Sequence, residues 1–297
     1  MGLFDVFKKK ECNICGGEIG LLGNRKLEDG NMCKTCAAKL SPWFNDRRES
    51  TVAEINEQLA YREANKASVA AFRTTRTLGE YTKVLLDEDA GKFVVTDARD
   101  LMDENPDVLS LSDITGCILD IDESESEIMR EGKDGHRESY NPPRYDYYYD
   151  FYITIQVRHP YFDEMRFKVN RSQVEIEYDR MVALNRGGRM PGGPHRGPLP
   201  RSGGAAFGQV VGQALGSALA GAAGRPLSGP ELDPDYRRYK EMGEEICAAL
   251  LQERQEARAQ AAAAAAPKTA VTCPYCGATT TPDASGCCEY CGGAVNG

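Results

Sequence analysis

"YYYDFYITIQV", residues 147–157, decides the fold class. Tyr147, Tyr149, Phe151, Ile153, Ile155 and Val157 fall on one face of it, and Tyr148, Asp150, Thr154 and Gln156 on the other. Side chains alternate across a strand, so a period of two predicts a β-strand with one apolar and one wet face. "HPYFDE" (159–164) turns the chain, and "MRFKVN" (165–170) repeats the alternation with Met165, Phe167 and Val169 inward. Upstream, "KVLLDEDAGKFVVT" (83–96) predicts a hairpin around Asp89-Ala90-Gly91, and "ITGCILDID" (114–122) another strand. Strands with one wet face, joined by short turns, predict an antiparallel sheet.

Helical periods flank this sheet. In "TVAEINEQLAYREANKASVAAF" (51–72), Val52, Ile55 and Leu59 share a face, and Thr51 with Glu54 fits a capping box. A long helix starts at "PDYRRYKEMGEE" (234–245), carries the apolar stripe Tyr239, Met242, Ile246 and Leu250, and is stopped by Pro267. Between sheet and helix, "RGGRMPGGPHRGPLPRSGG" (186–204) reads as a linker. Behind it, Gly204, Gly208, Gly212 and Gly216 recur every fourth residue; on a helix they would form one strip able to support self-association. Glycine costs a helix about 1 kcal/mol per residue relative to alanine, so the linker reading is favoured there. A sheet followed, after a long insertion, by one helix resembles the bacterial pleckstrin-homology-like barrels, in which that helix caps a bent sheet.

The chain has 297 residues and a formal charge of −9. The charge is uneven: Tyr81–Arg180 holds 24 Asp/Glu against 12 Lys/Arg, whereas Met1–Arg48 has 9 Lys/Arg against 6 Asp/Glu. An acidic middle argues against a phosphate-lipid pocket in the sheet domain and against general nucleic-acid binding. The start, "MGLFDVFKKK", places its apolar residues before its lysines, the reverse of a secretory signal, and Val6 stands where myristoylation needs Ser or Thr. No run of about 20 strongly apolar residues is present. A reducing cytoplasm is the expected compartment.

There the eleven cysteines are available for metal. Cys12-x2-Cys15 and Cys33-x2-Cys36 are separated by seventeen residues. Two residues between cysteines let one tight turn offer both sulfurs to one ion, and a second pair completes a tetrahedron with Zn–S distances of about 2.3 Å. Near the C-terminal end, "CPYCG" and "CEYCG" are near copies. They select Cys273, Cys276, Cys288 and Cys291 as the second quartet and leave Cys287 spare. Cys117 and Cys247, inside a strand and a helix, read as small core residues. Four thiolates fill a zinc shell, whereas catalytic zinc keeps a position open for water. His136, His159 and His195 are isolated and read as solvent-exposed loop residues, and no hydrolase, dinucleotide or phosphate-loop motif occurs.

The stretch "CNICGGEIGLLGNRKLEDGNMCKTCAAKLSPWF" (12–44) is similar to the bacterial domain-of-unknown-function 4428 family, described as a zinc finger or ribbon. The resemblance covers about the first fifty residues and implies Cys12, Cys15, Cys33 and Cys36 as ligands. The tail resembles the short zinc ribbons appended to many bacterial proteins. The expected fold class is α+β: an antiparallel pleckstrin-homology-like sheet domain with a capping helix, flanked by two zinc ribbons. The expected organisation is a four-cysteine ribbon (1–48), a connecting helix (49–76), the sheet domain (77–182), a Gly/Pro-rich linker with the glycine-spaced segment (183–230), a long helix packing on the sheet (231–266) and a second four-cysteine ribbon (267–297).

The expected function is that of a non-catalytic cytoplasmic interaction or scaffold protein holding two structural Zn2+ ions, with protein partners. A peripheral membrane role through "GLFDVF", the lysines after it and the glycine-spaced segment ranks second. Nucleic-acid binding through Lys8, Lys9, Lys10, Arg25, Lys26, Arg47 and Arg48 ranks third.

Overall fold

The structure, a computed structural model, describes residues 10–186, 229–265, 270–282 and 286–295. Gly204, Gly208, Gly212, Gly216, His195, Pro267, Lys8 and Lys9 lie outside these residues, so the readings placed on them are not addressed by it.

The N-terminal module is built from two short antiparallel pairs, β1 (Lys10–Glu11) with β2 (Glu18–Ile19) and β3 (Asn24–Lys26) with β4 (Asn31–Cys33). A single turn, α1 (Lys34–Ala37), follows, and then α2 (Val52–Ala71). The capping box forms: Thr51 Oγ1 accepts from the Glu54 N–H at 3.3 Å, and the Thr51 N–H donates to Glu54 Oε2 at 2.7 Å. Ile19, Leu27, Met32, Leu40 and Ile55 are buried together with Cys12 and Cys36, and Val52 and Leu59 pack against them. The first turns of α2 therefore complete the ribbon's core.

Further along, α2 grips the next domain. Arg62, 6% exposed, donates from Nη1 to Asp107 Oδ1 at 2.6 Å and from Nη2 to the Asn105 carbonyl. Asp107 also accepts from Ser41 Oγ at 2.7 Å, and Arg62 Nε donates to the Lys39 carbonyl at 3.3 Å. Asn65 joins through bonds to Asn105 Oδ1 and the Pro106 carbonyl. One buried clasp thus ties ribbon, helix and sheet domain.

The sheet domain has two antiparallel sheets. β5 (Arg76–Leu78), β6 (Lys83–Asp87), β7 (Lys92–Thr96) and, after a short turn α3 (Leu101–Glu104), β8 (Leu109–Ser110) form the first, in that order. The second is organised on two long strands, β9 (Ile114–Glu127) and β12 (Tyr145–Val157), paired from Tyr145↔Glu127 to Val157↔Ile114. Between them β10 (Met129–Glu131) and β11 (Arg137–Ser139) form an exposed hairpin. β9 continues past Asp122 through the polar "ESESE", because Tyr145–Tyr149 supplies a ladder partner for each of those residues.

The other edge of β12 is shared by β13 (Glu164–Lys168) and β14 (Val174–Ile176). At the changeover, buried Asn170 takes the place of a ladder residue. The Phe151 N–H donates to its Oδ1 at 2.8 Å, and its Nδ2 donates to the Tyr149 carbonyl at 3.2 Å and the Ser172 carbonyl at 2.8 Å. The predicted inward face is buried at Tyr149, Phe151, Ile153, Ile155, Val157, Met165, Phe167 and Val169, with Tyr147 partly so; Thr154, expected on the wet face, is buried as well.

After α4 (Tyr178–Asn185) the described chain resumes at Gly229, and α5 (Pro234–Ala265) packs on β9, β12 and β5. Ile246 and Leu250 are buried as the stripe requires, joined by Tyr236, whose ring meets Tyr149 edge-on at 4.9 Å. The approach is close at Gly243, where a Cβ would stand 2.6 Å from Leu119 Cδ1. Cys117 and Cys247 pack against this core and meet across it, Sγ to Sγ 2.6 Å.

His159 departs from the reading of it as a solvent-exposed loop residue. It is half-buried, its Nε2 lies 2.8 Å from the Tyr61 hydroxyl and its ring stacks on Phe162 at 4.0 Å. His136 is exposed, as expected.

Candidate metal centres

The two predicted quartets each converge. The sulfurs of Cys12, Cys15, Cys33 and Cys36 lie within 4.8 Å of one another, and so do those of Cys273, Cys276, Cys288 and Cys291. A tetrahedron with Zn–S bonds of about 2.3 Å has S···S edges of about 3.8 Å. Cys15–Cys33 measures 3.8 Å, Cys273–Cys291 3.6 Å and Cys276–Cys288 3.7 Å. The donor set and its spacing fit a tetrathiolate metal site twice over.

The local fold explains the convergence. Three of the four CxxC turns share one hydrogen-bond pattern. Cys12 N–H donates to the Gly17 carbonyl and Gly16 N–H returns to the Cys12 carbonyl; Cys273 with Ala278 and Gly277, and Cys288 with Gly293 and Gly292, repeat this at 2.8–2.9 Å. Gly16, Gly277 and Gly292 have φ of 71°, 71° and 69°, which a side chain would strain. The fourth turn differs: Cys33 caps α1, its sulfur accepting from the Cys36 N–H at 3.3 Å. In the tail, β15 (Val271–Thr272) and β16 (Thr279–Thr280) flank the first turn. Cys287 lies outside the quartet, its backbone bridging Ala294.

The field at the sulfurs suits thiolates. Burial pushes Cys12 up, yet the N–H groups of Cys15, Cys33 and Ile14 outweigh it and lower the thiol to about 6. Cys288 behaves alike, burial opposed and exceeded by the Tyr290 and Cys291 N–H groups, and falls to about 6. Their neighbours move the other way. Cys36 is raised by burial and by the adjacent sulfurs; at Cys291 the Gly293 N–H lowers the thiol but the Cys276 and Cys273 sulfurs raise it to about 12. Crowded thiolates repel one another, and a bound cation would relieve that repulsion.

Residues 10–58 match the family model of a domain of unknown function, DUF4428. The DUF4428 match takes in all four N-terminal cysteines and ends inside α2, just past Ile55, where the ribbon's own core closes. No curated protein and no solved structure matches the chain. Among the described residues, no helix is long and apolar enough to cross a membrane.

Other polar features stand apart from the metal centres. Arg25, Lys26, Arg47 and Arg48, separate in sequence, line one open concavity of about 760 Å³ on the ribbon. Lys10 is exposed on β1. Two features escaped sequence reading: the Arg62–Asp107 clasp, whose partners are 45 residues apart, and the exposure of Leu21 and Leu22. Neither carries a local signal, since a leucine pair between glycines reads equally as turn or core.

Proposed function

We propose that this chain is a non-catalytic interaction or scaffold protein of the cytoplasm, held in shape at each end by a structural zinc ion. The observation that carries the reading is the pair of all-thiol quartets at tetrahedral spacing. Four protein sulfurs leave no coordination position for substrate or water, and zinc favours this ligand set. The same geometry would hold the two CxxC turns of each ribbon at a fixed separation. The sheet domain reads as a pleckstrin-homology-like module, supported by two antiparallel sheets and one C-terminal helix packed on them. Such a module presents surfaces to partners.

The test is elemental analysis of the purified full-length chain, with two zinc ions per chain expected, one for each quartet. Cys288→Ser should lower the count to one and Cys287→Ser should leave it at two. Iron with visible absorbance, or a Cys287 variant that loses metal while the Cys288 variant keeps it, would overturn the assignment. Chelation should unfold the ribbons, since metal binding contributes on the order of 10 kcal/mol to such small modules.

A further inference from the structure

Leu21 and Leu22 are 85% and 89% exposed, the most exposed large apolar side chains among the described residues. They sit in the turn between β2 and β3, whose stems are held by both ladders and whose Gly23 N–H donates to the Gly20 carbonyl at 2.9 Å. A fixed turn thus presents two adjacent leucines to solvent.

Cations adjoin them. Arg25 Nη1 donates to the Leu22 carbonyl at 3.4 Å and the Asn24 carbonyl at 3.2 Å, so the first guanidinium lies against the backbone of the leucine turn. Arg47 Nη1 donates to the Lys26 carbonyl at 2.6 Å, which continues the positive surface into the concavity shared with Arg48. Glu28 is the one acidic residue lining it. Arg47 is lowered from its ordinary pKa, by burial first and then by Arg48 and Arg25, while Glu49 pulls the other way. The β1–β2 register sets Lys10 opposite Ile19, and the sequence places Lys8 and Lys9 directly before it.

Two aliphatic side chains bordered by cations match a surface that offers hydrocarbon beneath anionic headgroups. Single-stranded nucleic acid would call for aromatic platforms, and the tip offers leucine instead. We propose that the Leu21–Leu22 tip inserts into the interface of an anionic lipid bilayer, with Arg25, Lys26, Arg47 and Arg48 meeting the headgroup phosphates. The acidic sheet domain, repelled by the same surface, would point away from it. The proposal supplies one partner for the interaction role above; it needs the folded ribbon and not the identity of its metal, so the zinc count and the lipid assay fail separately.

The experiment is co-sedimentation of the full-length protein with phosphatidylcholine vesicles containing about one-third phosphatidylserine, and with phosphatidylcholine alone. Each basic residue near an anionic surface strengthens partitioning roughly five-fold, and each inserted leucine roughly ten-fold or more. Binding should therefore favour the anionic vesicles and weaken with salt. Leu21→Ser with Leu22→Ser should weaken it roughly a hundred-fold. Lys26→Gln with Arg48→Gln, which leaves the Arg47 bond to the Lys26 carbonyl possible, should weaken it too, roughly twenty-five-fold, through lost charge. Both pairs change solvent-facing groups, and unchanged circular dichroism and metal content would show the ribbon intact. Failure to bind, equal binding to both vesicles, or wild-type binding by the leucine pair would overturn the proposal. So would binding that depends on residues 2–9 and not on the leucines. Submicromolar binding of duplex DNA, lost in the Lys26/Arg48 pair and kept in the leucine pair, would assign the concavity to nucleic acid instead.

Discussion

His159 shows how a single side chain acquires a role from the fold. Its imidazole is enclosed by Tyr61, Tyr161 and Phe162, and burial depresses its pKa below 6.5; Asp107 and Asp113 pull the other way and Arg62 reinforces the depression. A depressed folded value means that the unfolded chain takes up the proton first as pH falls. Stability is then fully present above about 6.5 and is lost as pH drops from there toward the folded value. Urea midpoints should decline as pH falls below about 6.5, and His159→Gln should flatten that part of the curve. An identical slope in the variant would assign the pH dependence to other groups. Nothing near His159 in sequence announces this, because Tyr61 is 98 residues away. Cys288, by contrast, could be chosen over Cys287 from sequence alone, because the turn that presents a sulfur is itself a local motif. The exposure of Leu21 and Leu22 belongs with His159: only the folded ribbon decides which leucines face water.

Among the elements, the helix Val52–Ala71 is the most instructive, because its two ends answer to different neighbours. Its N-terminal turns were legible, since a capping box and an i, i+3, i+7 apolar set are written in consecutive residues. Beyond them the helix buries Gln58, Arg62, Asn65 and Val69, three of them polar, and no apolar period marks that face. Of these, Arg62 and Asn65 bond to the loop at Asn105–Val108, in contacts that sequence spacing does not encode. Removing one member of a buried pair strands the other charge, so Arg62→Ala should destabilise the protein by about 3 kcal/mol in urea titration. Arg62→Met with Asp107→Leu should cost less than the two single changes combined, because the pair is removed together. Strict additivity would mean that the two side chains are not coupled. The long C-terminal helix was legible through its stripe, yet neither the close approach at Gly243 nor the meeting of Cys117 with Cys247, 130 residues apart, could be read from the pattern.

At the level of the molecule, the α+β class and antiparallel pairing followed from strand alternation, whereas the division into two sheets did not. Nor did the sharing of one edge of β12 by β13 and β14, which turns on Asn170, one polar residue whose burial has no signature in its neighbours. The chain's charge is also segregated, a basic ribbon at one end of the sequence and an acidic sheet domain after it. One junction has a further consequence. α4 ends at Asn185 and the described chain resumes at Gly229, where Asn185 Oδ1 lies 3.1 Å from the place a Cβ would take. Arg180 also pairs with Asp233 across the same junction. The described residues on either side of 187–228 therefore stand beside one another. Replacing residues 187–228 by a short Gly/Ser linker should leave metal content, circular dichroism and cooperative unfolding unchanged; loss of the single transition would show that the replaced residues help hold the fold. For a Gly/Ser linker that joins two neighbouring ends, doubling the length costs only about 0.6 kcal/mol. Insertions and deletions here would be nearly silent to the rest of the molecule, which makes this junction the place where lineages can diverge in length, and where a reporter domain could be carried, without renegotiating the core.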